Sequence, residues 1–275
     1  MMYNKIMKKL CLFYILIFCC TVFFGCNFSN QPKFVKGVWW WDYSLDQTYL
    51  DFAIDNDVNE IYFCDSDFEN TYMVQTMVDN NIDVYWLVGD KQWLLDFDLA
   101  KKTVEQFINY SDNYLYSGIH IDVEPHQFDD FEDNRTQYIY SLIDLAYYLN
   151  ETFPGIKFDY DIPFWFDDEI TFNGATKPAY AHMIDIANRT FLMSYRDSAN
   201  AMLEVSKEEL EYARNINKIV ILGAETAKSD ETDIVSYYEE GKTYMNEQLQ
   251  IVCESLPNNY GISIHHIKSW EQLKN

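Results

Sequence analysis

Positive charge is scarce in this chain. Twenty Lys and Arg stand against 44 Asp and Glu, a formal net charge of −24 over 275 residues. Three of the 20 (Lys5, Lys8 and Lys9) lie in the first ten residues, so the remainder carries 17 against 44, or −27. A surface of that sign repels phosphate backbones and anionic lipid, which excludes nucleic acid and leaves neutral polymers or small molecules as partners. Cysteine is also short. Cys11, Cys19, Cys20 and Cys26 fall near the N-terminus, leaving only Cys64 and Cys253. That excludes a disulfide framework and any C-x-x-C metal spacing. One Cys64–Cys253 bridge stays open, against the reading of both as small buried apolar side chains.

The N-terminus reads as targeting. A basic start is followed by the uncharged run Leu10–Gly25, 16 residues long (25 − 10 + 1) and short of the ~20 that span a bilayer. It ends in Val22-Phe23-Phe24-Gly25-Cys26. We expect residues 1–25 to be a signal peptide, 26–36 a tether and 37–275 a single folded domain. An uncleaved anchor is the alternative, and either places the domain outside the cytoplasm.

The roughly 250 remaining residues suit one (β/α)₈ barrel. Candidate strands are Gly37–Asp42, Glu60–Asp65, Asp83–Val88, Gly118–Glu124, Ile156–Ile162, Thr190–Tyr195, Lys218–Ala224 and Gly261–His266. Helical stripes separate them, the strongest being Ile139, Leu142, Ile143, Ala146 and Leu149. Ser206-Lys207-Glu208-Glu209 reads as a capping box, and Thr152-Phe153-Pro154-Gly155 as a helix stop. An open doubly wound sheet fits less well. No Gly-rich phosphate loop follows strand one, where Trp39-Trp40-Trp41-Asp42 stands instead.

Tyr116 to His126 carries most of the functional signal. Ile119, Ile121 and Val123 alternate with His120, Asp122 and Glu124 before Pro125, a strand pattern with one apolar and one polar face. Burying unpaired charge costs several kcal/mol, so two carboxylates at a strand's last turn suggest a site rather than a brace. Barrel sites are built at the C-terminal strand ends. Those ends supply Trp41 and Asp42, Trp86, Asp161 with Trp165, Tyr195 with Asp197, Glu225, and His265 with Trp270. Carboxylate pairs perform glycoside hydrolysis, and aromatic faces stack on sugar rings. Asp122 shares Glu124's strand face and should couple to it in titration. His120 should sit one layer deeper and pair with Asp122. Three consecutive aromatics, Phe164-Trp165-Phe166, cannot all point inward, so Trp165 is expected at the cleft or its rim. Core packing is the competing reading for each tryptophan, and helix capping for Asp42, Asp65 and Asp67.

Ser117-Gly118-Ile119-His120-Ile121-Asp122-Val123-Glu124 resembles D-G-x-D-x-D-x-E, the strand-four signature of glycoside hydrolase family 18, the chitinase-like barrels. Met193-Ser194-Tyr195 is similar to that family's M-x-Y. The resemblance implies Glu124 as acid/base, Asp122 orienting the substrate's N-acetyl group and Tyr195 hydrogen-bonding it. Ser117 and His120 depart from it, standing where its first two aspartates belong. Val123-Glu124-Pro125 and Gly223-Ala224-Glu225-Thr226 resemble a second group, the clan-A glycosidases, which implies Glu225 as nucleophile. Ile119 to His126, with Leu192 to Tyr195 and Gly223 to Thr226, also resembles an uncharacterised group of bacterial surface barrels. The segment ending at Cys26 resembles a lipobox, which implies lipidation of Cys26 and a bacterial surface or periplasmic location.

The leading expectation is therefore a lipid-anchored, monomeric glycoside hydrolase acting on a neutral or N-acetylamino-sugar glycan. No cofactor and no metal are expected, and membrane contact runs only through the anchor. Catalysis falls to Glu124, Asp122, Tyr195 and Glu225. Substrate binding falls to Trp41, Asp42, Trp86, Asp161, Trp165, Asp197, His265 and Trp270, with His120 behind them. Two alternatives remain open: a carbohydrate-binding lipoprotein without catalysis, and a metal-dependent hydrolase using His120, Asp122, Glu124, Glu225, His265 and His266.

Overall fold

The computed structural model describes residues 34–41, 47–65, 67–230 and 232–275. The signal peptide, Cys26, most of the tether and Asp42 lie outside the described residues. Eight parallel strands close into a barrel in sequence order. They are β1 (Val35–Trp40), β2 (Glu60–Phe63), β3 (Asp83–Val88), β4 (Tyr116–Ile121), β5 (Phe158–Pro163), β8 (Arg189–Met193), β9 (Val220–Glu225) and β10 (Gly261–His265). Each expected strand is present, with ends shifted by a few residues. The barrel begins at Val35, whose N–H donates to Tyr260 O at 2.9 Å, so the expected tether runs two residues too far.

Helices α1 (Gln47–Asp55), α2 (Thr71–Asp79), α3 (Phe97–Asn109), α4 (Phe131–Thr152), α5 (Ala179–Ile186), α6 (Ala199–Val205), α7 (Lys207–Asn215), α8 (Lys242–Ser255) and α9 (Ile267–Gln272) separate the strands. The α4 stripe is buried as its spacing predicts. The capping box is not formed. Ser206 follows α6 directly, and its hydroxyl donates back to Met202 O at 2.8 Å instead of capping α7. An antiparallel hairpin, β6 (Glu169–Phe172) with β7 (Ala175–Pro178), is inserted after β5. Its turn is Asn173-Gly174, both at positive φ, the two-residue turn that matches strand twist.

Strand alternation divides the barrel's residues into two sets. Val38, Trp40, Ile61, Phe63, Val84 and Trp86 face the helices. Trp39, Tyr62, Tyr85, Leu87, Phe191 and Ile221 fill the interior. At the floor, Arg189 donates to both oxygens of Glu60 at 2.8 Å and to Asp159 Oδ2 at 2.6 and 3.0 Å. Its guanidinium lies 4.5 Å over the Tyr85 ring. Burial disfavours that charge, but Asp159 and Glu60 hold Arg189 protonated well above its ordinary range.

Candidate active site

A cavity of about 450 Å³ opens at the C-terminal ends of the strands. Trp39 closes its base, and Trp41, Met193 and His266 line its sides. Its reactive groups are Asp122, Glu124, Gln127, Asp161, Tyr195 and His265. β4 delivers Asp122 because the Asp122 N–H donates to Val88 O at 3.0 Å, extending the ladder past Ile121. Gly89 permits that approach: a Cβ there would lie 1.7 Å from Asp122 O.

His120 sits one layer below, wholly buried, with its ring 4.4 Å from that of Tyr62 and 4.5 Å from that of Phe191. Its Nε2 is hydrogen-bonded to Asp161 Oδ2 at 2.8 Å. Trp39 Nε1–H approaches the same pair, 3.3 Å from Asp161 Oδ2 and 3.2 Å from His120 Nε2. Burial holds the imidazole pKa down to about 3, so His120 is neutral. His120 therefore pairs with Asp161 rather than with Asp122, because Asp161, two residues beyond Asp159, projects from the same face of β5 towards it.

Burial pushes Asp122 well above the usual carboxylate range, and the nearby charges of Asp161 and Glu124 push it further. Asp161 moves the same way, from burial first, against the Trp39 hydrogen bond that favours its anion. One oxygen of each acid, Asp122 Oδ1 and Asp161 Oδ1, is buried without a hydrogen-bond partner.

Glu124 stands just beyond β4, with its side chain 21% exposed. Gln127, in the turn opened by Pro125, donates Nε2–H to Glu124 Oε2, and His126 Nε2 lies 3.6 Å from the other oxygen. Tyr195 is kept a neutral phenol by burial and by the surrounding carboxylates. Gly223 makes room for its ring, since a Cβ there would meet Tyr195 Cε1 at 3.0 Å.

Glu225 and His265 are register partners on β9 and β10. Glu225 Oε2 meets His265 Nδ1 at 2.7 Å, while Oε1 accepts from Thr226 N and Ala227 N, both at 2.7 Å. Burial works against an imidazolium at His265, but the Glu225 bond and charge overcome it and raise its pKa.

The overall fold has solved counterparts. A chitinase from Bacteroides thetaiotaomicron matches with a TM-score of 0.57 at 13% identity, over 86% of this chain and 90% of that one. A class V chitinase from Nicotiana tobaccum matches with 0.53 at 11%, over 86% and 95%. The Bacillus cereus spore cortex-lytic enzyme SleL matches with 0.51 at 11%, over 87% and 73%. The chain has the chitinase-like barrel fold. No family model matches it, and no curated protein does.

Within that fold the expected residues divide. Asp122, Glu124, Tyr195, Trp41, Asp161 and His265 share the cavity. Glu225 stands behind His265, both carboxylate oxygens occupied. Trp86 does not reach the cavity. Alternation turns it outward, where it stacks on Phe107 and donates Nε1–H to Asp65 O at 2.9 Å. Trp270 is buried on α9 against Phe52, because its helix packs on the barrel's outside. Asp197 is held beside Ile234, its N–H donating to Ile234 O at 3.0 Å, and is not among the cavity's lining residues. Trp165 is half-buried against the core, its ring 5.7 Å from that of His126 and under the Arg135 guanidinium, and is not among the cavity's lining residues, while Phe166 is buried. Gln127 and Trp39 were missed. The +3 spacing of Gln127 from Glu124 across Pro125 was the available signal for one. The even spacing of Trp39 from Trp41 was the signal for the other. Asp65 is not the helix cap expected of it: Asn70 holds the N-cap position of α2, and Asp65 accepts from Asn70 N and Nδ2. Cys64 and Cys253 are not joined by a disulfide. Among the described residues no three His, Cys, Asp or Glu side chains converge as metal ligands.

Proposed function

We propose that the protein is a glycoside hydrolase acting on an N-acetylamino-sugar glycan, with Glu124 as general acid/base and the substrate's own acetamido oxygen as nucleophile. The observation that carries this reading is the convergence of Asp122, Glu124 and Tyr195 on one cavity at the top of the barrel. Glu124 stands beyond the end of β4 with its side chain 21% exposed, able to reach a glycosidic oxygen and to exchange its proton with water. Asp122, deeper and hemmed in, suits a group that holds the acetamido N–H and balances charge on the oxazolinium ion. The Tyr195 hydroxyl, kept protonated, can donate to the acetamido oxygen.

Attack by the protein is the weaker route. Both Glu225 oxygens are occupied by His265 and two backbone amides, so the carboxylate would have to break three hydrogen bonds to act as nucleophile. Its role here is to hold His265 protonated and aimed into the cavity. The cavity's carboxylates disfavour anionic glycans, which agrees with a neutral substrate.

Glu124→Gln removes the transferable proton and keeps the shape. Turnover of N-acetylglucosamine oligomers should fall roughly 10²–10⁴-fold. Unchanged turnover would remove Glu124 from the chemistry, and binding without turnover by the unaltered protein would make it a carbohydrate-binding protein instead. We also propose that the domain is held at the bacterial surface or in the periplasm as a monomer, through lipid on Cys26. Cys26→Ala should release it to the soluble fraction or block its processing. Membrane retention with unaltered cleavage would refute the anchor.

A further inference from the structure

Two carboxyls in the cavity wall, each with one oxygen buried, have more acceptors than donors. Asp161 is only 4% exposed, and its Oδ2 takes both hydrogen bonds available to it, from the His120 and Trp39 side. Its Oδ1 has none, and neither has Asp122 Oδ1. A buried oxygen without a donor costs about 1–3 kcal/mol, more if charged. The orphan oxygens can be satisfied only by a proton on one acid, by water, or by a donor on the ligand.

The surrounding groups do not supply that donor. Around Asp122 stand Asp161 from β5, Glu124 beyond β4 and His265 from β10. Asp161 faces Glu124, His265 and Asp159, with neutral His120 below. Tyr195, beyond β8, faces both acids and stays protonated. His265 is the one cation in the set, and its Nδ1 is committed to Glu225.

We infer that Asp122 and Asp161 form a dyad that holds one proton, with Asp161 as the positioning residue that leaves Asp122 able to act on the substrate. The inference rests on the glycosidase reading for its catalytic meaning, but not for the dyad itself. In the free protein one O–H serves both orphan oxygens. When an acetamido N–H enters and donates to Asp122, the proton leaves Asp122 Oδ and binds Asp161 Oδ1, so Asp122 carries the charge and Asp161 becomes the neutral acid. No atom or charge is gained or lost in the transfer. Asp161 Oδ2 stays anchored throughout by Trp39 and His120, which fixes where Oδ1 points. The chain thus provides from β5 a carboxyl partner that β4, with His at position 120, does not.

The test is a ¹³C-carboxyl titration of the full chain labelled at Asp. Wild type should show two coupled steps sensed by both Asp122 and Asp161. Asp161→Asn keeps the shape and removes one acid. Asp122 should then titrate in a single step at lower pH, because its like-charged neighbour is gone. The reciprocal Asp122→Asn should lower the Asp161 titration in the same way, and serves if Asp161→Asn does not fold. Independent single steps, unmoved in either variant, would overturn the dyad. Activity is the separate arm. Asp161→Asn should lower kcat on the order of 10²-fold with little change in KM, and shift the acid limb of kcat/KM to lower pH. A limb that stays in place would reduce Asp161 to a structural role. If wild type and Glu124→Gln are equally inactive on amino-sugar oligomers, the glycosidase reading fails, while the titration still decides the dyad.

Discussion

The two ends of one barrel treat buried carboxylates in opposite ways. At the floor, Glu60 and Asp159 share one guanidinium, Asn188 donates to the Asp159 oxygen that Arg189 leaves open, and Tyr62 adds a second donor to Glu60 Oε2. At the top, the cation that faces both Asp122 and Asp161, His265, is bonded to Glu225, and each acid keeps an oxygen without a donor. Both ends draw on the same face of one strand: Asp159 and Asp161 are two residues apart on β5. What differs is the donor supply. The floor is closed electrostatically and can only brace the barrel. The top is left short of donors, and that shortage is what a ligand can relieve. Binding capacity here comes from incomplete satisfaction of the interior, at some expense in stability.

The sharpest way to break this comparison is to unbalance the floor. Arg189→Met leaves Glu60 and Asp159 buried beside each other without a cation, and should destabilise the fold by about 3–5 kcal/mol. Chemical denaturation measures it. A loss under ~1 kcal/mol, within the range of exposed ion pairs, would mean that the floor is solvated rather than closed.

Removing a charge at the top should stabilise rather than destabilise. Asp122 and Asp161 have folded pKa values raised above their unfolded ones. The unfolded chain therefore loses these protons first. The stability they contribute is fully present below the unfolded value of about 4 and is lost as pH rises through the folded values. Asp122→Asn removes one of the two charges, so it should flatten this decline and be the more stable protein above it. Denaturant midpoints taken across the pH series in both proteins give the comparison. Parallel curves would show that the top acids are as well compensated as the floor.

The smallest effect concerns His265, the cation that faces both top acids. Glu225→Gln removes the acceptor charge behind His265, and the imidazole should titrate at lower pH than in wild type. In the wild type, the raised His265 value contributes stability present below about 6.5 and lost as pH rises through the folded value. Histidine NMR titration reads the change. A His265 curve that does not move would place its charge under the control of Asp122 and Asp161 instead.

The fold was legible because each barrel strand announces itself locally. Apolar runs such as Val84–Val88 and Val220–Ala224, separated by helical stripes, leave little room for another architecture. The β6–β7 hairpin was not foreseen, because it interrupts the strand–helix alternation; Asn173-Gly174 between two short runs was its signal. Tryptophan was harder. Trp86 and Trp41 both stand near strand ends, yet one packs against α3 and the other lines the cavity. The choice is set by strand parity, which flips with a one-residue error in register.

The sequence by itself determined the barrel, the end of it that holds the cavity, and the Asp122–Glu124 pair on one face of β4, because period-two alternation and chain direction are local properties. Only the tertiary structure decided the partners. Asp161 lies 41 residues from His120, and Glu225 40 from His265, in pairs made by neighbouring strands closing round one axis. Spacing within a strand tells which way a side chain points. It does not tell what comes to meet it from the next strand, and that meeting sets which carboxylate is satisfied and which is left to bind.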